Sequence, residues 1–103
     1  MKIHLTLSSN NFKKLQDNMW ECGWWRVDES QAQQLIGHEI YFHKKRMEPS
    51  FYGGTIRGFR VDEEGQNQGK TIFKFEYSQD CRNIMTDRTG WSKEMKIIPE
   101  LDQ

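Results

Sequence analysis

The segment from His38 to Val61 carries five cations, Lys44, Lys45, Arg46, Arg57 and Arg60, against two acids, Glu39 and Glu48. Tyr41, Phe42, Phe51, Tyr52 and Phe59 are interleaved with them. Cations that meet phosphates and rings that stack on bases are the two components of a nucleic-acid clamp, and here they share one stretch. Ser50 adds a hydroxyl able to donate to a ligand, although loop hydroxyls commonly bond their own backbone. Three tryptophans complete the candidate set of Trp24, Trp25, Tyr41, His43, Lys44, Lys45, Arg46, Ser50, Tyr52, Arg57, Arg60 and Trp91. Trp24 and Trp25 are consecutive, so an extended chain sends one ring inward and the other outward. Trp91 follows Gly90, where the chain can fold an aromatic across a cleft. The blander account of the same residues is a solvated cationic loop, with Phe51 and Tyr52 plugging one end of the core.

Enzyme chemistry needs a poised acid, base or nucleophile, and the strand-borne candidates Glu39, His43 and Glu76 form no constellation. Cys22 and Cys81 stand apart with no CxxC pair, which writes neither a disulfide framework nor a zinc ribbon. Asp80 next to Cys81 disfavours a thiolate there. On a shared strand, His38 and His43 would point to opposite faces and could not chelate one ion. The chain has no GxGxxG, Walker A or GxSxG motif. No metal and no cofactor is therefore expected, and a binding module is favoured over an enzyme.

The 103 residues allow one compact domain, residues 1–103. Fifteen Lys and Arg balance fifteen Asp and Glu, which excludes a generic polyanion binder and makes any basic site local. Four Trp, six Phe and three Tyr supply the buriable surface that disordered chains lack. No apolar run approaches the roughly 20 residues of a membrane span, and Met1-Lys2-Ile3-His4-Leu5 has no signal-peptide character. The expectation is a soluble cytoplasmic protein.

Alternation predicts strands at residues 1–7, 39–43, 55–61, 70–77 and 93–98. Phe73, Phe75 and Tyr77 share one face of the fourth. Helical spacing is confined to residues 10–36. Ser8 and Ser9 can cap a first helix, with Phe12, Leu15 and Met19 on its buried stripe and Gly23 at its end. Asp28 can cap a second, with Gln31 in the capping-box position, Ala32, Leu35 and Ile36 buried, and Gly37 as its left-handed stop. Lys44 to Gly54 reads as a loop, since Pro49 cannot donate to a ladder and Gly53-Gly54 permits unusual backbone angles. The fold expected is α+β: a small, curled, mainly antiparallel, barrel-like sheet with two short helices after the first strand.

Trp25, Val27, Ala32 and the run Leu35-Ile36-Gly37-His38-Glu39-Ile40-Tyr41-Phe42-His43, followed by Gly53-Gly54-Thr55-Ile56, give the chain a resemblance to the PUA-like superfamily. It resembles the tryptophan, short helix, glycine and aromatic strand of the ASCH and EVE branches. The resemblance implies recognition of RNA, or of a modified or flipped base, in an aromatic-lined cleft. The ASCH glycine-lysine-arginine signature is absent, and His38 stands where those domains carry an aspartate, so their hydrolase activity is not implied. The leading expectation is a nucleic-acid or modified-base binding module, with RNA or DNA as partner. A protein-interaction module or inhibitor of phage or mobile-element type comes second, and a small base or nucleoside hydrolase third.

Overall fold

A computed structural model describes residues 1–7 and 12–99. Seven strands form one sheet: β1 Lys2–Thr6, β2 Phe12–Gln16, β3 Met19–Trp25, β4 Glu39–His43, β5 Tyr52–Val61, β6 Thr71–Tyr77 and β7 Met95–Ile98. Among the described residues a single α-helix, α1 Glu29–Leu35, joins β3 to β4. The strand order is β2-β3-β6-β5-β4-β1-β7. All pairings are antiparallel except β1 with β4. The mainly antiparallel α+β class is thus as expected. The order runs from β2 to β7 without those two edges pairing, so the sheet is not a closed barrel.

The first expected helix is a β-hairpin. Phe12, Leu15 and Met19 do recur at helical spacing, but Phe12 with Lys14 and Trp20 with Cys22 fit a period of two on two strands. Phe12 pairs with Cys22 and Lys14 with Trp20 across the two-residue turn Asp17-Asn18, where Asp17 adopts φ 48°. Asp and Asn tolerate that left-handed backbone, so they make a hairpin turn as readily as they would interrupt a helix. Ser8 and Ser9, the proposed caps, lie outside the described residues.

The second expected helix is α1. Asp28 accepts from the Gln31 backbone N–H at 2.8 Å, and Ala32 and Leu35 face the core. Gly37 follows at φ 89°, the left-handed conformation that ends the helix. The loop expected over 44–54 is shorter than predicted, because β5 already begins at Tyr52. Gly53 and Gly54 lie in that strand without positive φ, so their role there is close packing rather than unusual angles.

Ile3, Leu5, Ile40, Phe42, Ile56, Phe73 and Phe75 are fully buried and form the centre of the core with Cys22, Trp25 and α1. Two bulges bring further rings to this face. Between Cys22 and Trp25 the register on β3 advances three residues while β6 advances two, from Phe73 to Thr71. The extra residue restores both Cys22 and Trp25 to the inward side. The same device between Ile56 and Phe59 on β5 keeps both opposite phenylalanines of β6. No helix among the described residues is long and apolar enough to cross a membrane.

Candidate functional site

β5 and β3 begin, and β4 and β6 finish, at the same end of the sheet, so each contributes a terminal aromatic there. Tyr52 stacks on Tyr77 with centroids 4.6 Å apart and planes 22° from parallel. Trp20 meets Tyr52 edge-on at 5.7 Å. Phe12 lies between them, 5.2 Å from Tyr52 and 6.2 Å from Phe51. Phe42 and Phe75 beneath this group are fully buried, whereas Phe12, Trp20, Phe51, Tyr52 and Tyr77 are only half-buried. Two ammonium groups lie over its rings: Lys14 at 5.9 Å from the Trp20 centroid and Lys44 at 5.7 Å from that of Phe51. Burial, with Tyr77 beside it, raises the Tyr52 phenol above its ordinary pKa, and the nearby Arg82 cation acts against that shift. Tyr52 is a neutral phenol at neutral pH, able to stack and to exchange one hydrogen bond.

The opposite face of β1 and β4 carries a second, polar layer. His4 stacks on Tyr41 at 4.6 Å, and its Nδ1 is 2.8 Å from His43 Nε2. His43 Nδ1 is 2.8 Å from the Glu48 carbonyl oxygen. Trp91 closes over both imidazoles edge-on, at 6.4 and 5.7 Å. Arg46 lies over the Trp91 ring at 5.7 Å and donates to the Lys93 carbonyl oxygen. Lys96, 7% exposed, donates to Thr86 Oγ1 and Asp87 Oδ1, both at 2.7 Å, tying the segment before β7 to the sheet. Burial pushes the His4 imidazole down to about 3, helped by the neighbouring His43 imidazole and by the Lys96 and Lys2 cations. His43 is lowered by burial as well.

The residues singled out from the sequence are therefore divided among different settings. Lys44 and Tyr52 belong to the aromatic end, and Lys45 is exposed next to Lys44. Arg46, Tyr41, His43 and Trp91 belong to the polar layer. Tyr41 and His43 are buried there because β4 alternates, sending Ile40 and Phe42 to the core and their neighbours to the other face. Ser50 is buried, donates to the Cys81 carbonyl at 2.6 Å and accepts from the Ile84 N–H, so its hydroxyl is spent on the backbone. Trp25 is 3% exposed and packs against Phe42, while Trp24 is 39% exposed and donates from Nε1 to Asp62 Oδ2 at 2.8 Å. The divergence of the two rings is as expected. Arg57 and Arg60 leave the cationic set, since each is paired on the surface, with Glu76 at 2.9 Å and Glu21 at 3.0 Å.

Exposed pairs such as Arg57–Glu76 stabilise weakly, and Arg57→Ala is expected to change the unfolding free energy by less than about 1 kcal/mol in urea denaturation. A larger loss would mean that Arg57 is part of a more cooperative network. The two thiols are inert by environment. Burial pushes Cys22 up to about 12, and burial with Glu39 and Asp80 nearby pushes Cys81 up to about 11.

Trp20, Tyr77, Lys14 and Arg82 are the residues of the aromatic end that sequence reasoning missed. Trp20 and Lys14 were obscured by the helical reading of residues 12–22. The two-residue Asp17-Asn18 turn was the signal that would have placed them across from one another. Among the described residues no three His, Cys, Asp or Glu side chains are grouped as a metal site would require. The chain matches no protein-family model, no curated protein and no solved structure.

Proposed function

We propose that this chain is a non-enzymatic nucleic-acid binding module that stacks unpaired or modified bases on its aromatic end and meets the adjoining phosphates with Lys14, Lys44 and Lys45. The observation that carries this reading is the half-buried ring set of Trp20, Phe51, Tyr52 and Tyr77, with lysine ammonium groups over two of its outer rings. Aromatic faces accept any base, and flanking cations track the backbone. Lys14, Lys44 and Lys45 form no ion pair among the described residues, unlike Arg57, Arg60 and Lys96. The PUA-like resemblance of the stretch from Trp25 to Ile56 supports the same class of ligand, and the barrel-like closure of that family belongs to this proposal rather than to the observed strand order. Free thiols at Cys22 and Cys81 suit the reducing cytoplasm.

The two components are separable by salt. In equilibrium binding to a single-stranded oligonucleotide, Lys14→Ala with Lys44→Ala is expected to flatten the slope of log affinity against log salt by about 1.4 units, two phosphate contacts at roughly 0.7 each. Tyr52→Ala is expected to weaken binding by about 1 to 3 kcal/mol and leave that slope unchanged. Circular dichroism confirms that each variant is folded. Absence of wild-type binding to single-stranded, duplex and base-modified nucleic acid at low salt overturns the proposal.

A protein-interaction module is the second reading. It is favoured by the ion pairs that neutralise Arg57 and Arg60, because they remove two cations from the stretch a nucleic acid would meet, and by the exposed Trp24 as an aromatic anchor. Tight, salt-tolerant binding to one protein would support it.

A further inference from the structure

The Glu48 carbonyl oxygen can only accept, so His43 Nδ1 carries the proton and its Nε2 is left as an acceptor. His4 Nδ1–H must then donate to His43 Nε2 across their 2.8 Å contact. Both rings are neutral in this arrangement, and both are at most 2% exposed. A proton added to His43 Nε2 would set two N–H groups against each other. A proton added to His4 leaves that bond intact but places a charge in a layer already crowded with cations.

The charged and titratable groups around the pair offer an imidazolium little compensation. β1 contributes Lys2, the loop after β4 contributes Arg46 over Trp91, and β7 contributes the buried Lys96. Asp87 is spent on Lys96, and Tyr41, stacked on His4, is held as a neutral phenol by burial with Cys81 and Glu39 nearby. Glu48 presents its carbonyl, its side chain being exposed. The cover over the pair carries a defect, since the buried Trp91 indole N–H has no partner among the described residues. An orphaned donor of this kind makes the closed arrangement costly to hold.

We propose that the His4–His43 pair is a proton-operated latch: while neutral it holds the 44–50 loop and the Trp91 segment against the sheet, and proton uptake releases them while the hydrophobic core stays folded. The loop is fastened to the pair at two places, through the Glu48 carbonyl on His43 and through Arg46 on Trp91. The core on the other face of β1 and β4 shares no side chain with this layer, which is why the layer can open alone. The latch does not depend on what the loop binds.

The sign follows from linkage. Both imidazoles are lowered in the closed state, so the closed state is favoured above the ordinary histidine pKa of 6.5 and loses ground as pH falls below it. An imidazole that stays neutral when closed raises the opening constant about 25-fold between pH 7 and pH 5.

Native-state amide exchange tests this on the intact chain, with protection factors corrected for the intrinsic pH dependence. The Glu48 and Ser50 amides, bonded to the Lys45 and Ile84 carbonyls, report the loop, and the β6 amides report the core. The latch predicts lower protection at Glu48 and Ser50 than in β6 at both pH values, and at least about a 25-fold fall at those two amides from pH 7 to pH 5. In His4→Gln, whose amide can still donate to His43 but does not titrate, the fall is expected to shrink by about 25-fold. Equal protection in loop and core, or no fall at Glu48 and Ser50 in the wild type, overturns the proposal, and so does an undiminished pH response in a folded His4→Gln variant. The wild-type comparison decides alone if that variant does not fold.

Discussion

Phe75→Ala is expected to lower the unfolding free energy by about 3 to 5 kcal/mol. Phe75 is 0% exposed, with its ring 5.3 Å from Phe42, 6.1 Å from Tyr52 and 6.2 Å from Phe12. Removing the ring deletes the transfer energy of a buried aromatic and leaves a void lined by other aromatics, whose stiff side chains collapse into it poorly. Domains of this size are stable by about 5 to 15 kcal/mol in total, so the loss takes a large share of what holds the fold. Tyr52 and Phe12 rest directly on Phe75, so a variant that survives folding should also lose order at the aromatic end. Urea denaturation monitored by tryptophan fluorescence measures the first effect. A midpoint unchanged from wild type would show that Phe75 is not central to the core. Phe75→Leu, which keeps most of the volume, should recover much of the loss.

The parts of the fold legible in the sequence are those where one physical signal acts alone. Residues 70–77 alternate without interruption, and β6 is the strand found at the centre of the sheet's pairing with β3 and β5. Asp28 with Gln31, then Gly37, supplied both ends of α1 from capping chemistry. The misreading of residues 12–22 came from two periods coexisting: Phe12, Leu15 and Met19 mark a helix stripe, while Phe12, Lys14, Trp20 and Cys22 mark two strands folded back by Asp17-Asn18. Leu15, which seemed a core residue of the helix, is 40% exposed on edge strand β2. Tertiary pairing with β6 decides between these periods, and no local propensity reports it.

The grouping of rings and cations in the fold was only partly legible in the sequence. Interleaved cations and rings pointed to residues 41–60, yet strand alternation and ion pairing divide them. Tyr41 and His43 face away from Phe42 and Tyr52 because they occupy the odd positions of the same strand, and Arg57 and Arg60 are claimed by Glu76 and Glu21 from β6 and β3. Those acids are remote in sequence, so the local excess of positive charge could not disclose its own neutralisation. The pairing of His4 with His43 was hidden for a similar reason, since parallel strands place residues 39 apart side by side.

The second large effect is expected at Gly54, where Ala should destabilise the protein by about 3 kcal/mol or more. Gly54 pairs with Tyr77 across the β5–β6 ladder. A Cβ there would be driven into the Glu76 carbonyl oxygen and would lie 3.0 Å from Tyr77 Cα. Both obstacles are backbone, held by the ladder itself, so neither can swing aside as the end of a side chain would. Its φ is not positive, which makes the requirement one of space and not of conformation. Gly37 offers the converse: φ is 89° and nothing lies within 4 Å of where a Cβ would be, so Gly37→Ala should cost only the strain of a left-handed residue, about 1 to 2 kcal/mol. The separation of β5 from β6 forced by Gly54→Ala would fall beside Tyr52 and Tyr77, whose rings stack at 4.6 Å, so any folded fraction should also lose that stacking. Chemical denaturation of the two glycine variants side by side measures the difference. If Gly54→Ala were as stable as wild type, the close approach of β5 to β6 at this position would be wrong, and with it the placement of the stacked tyrosines.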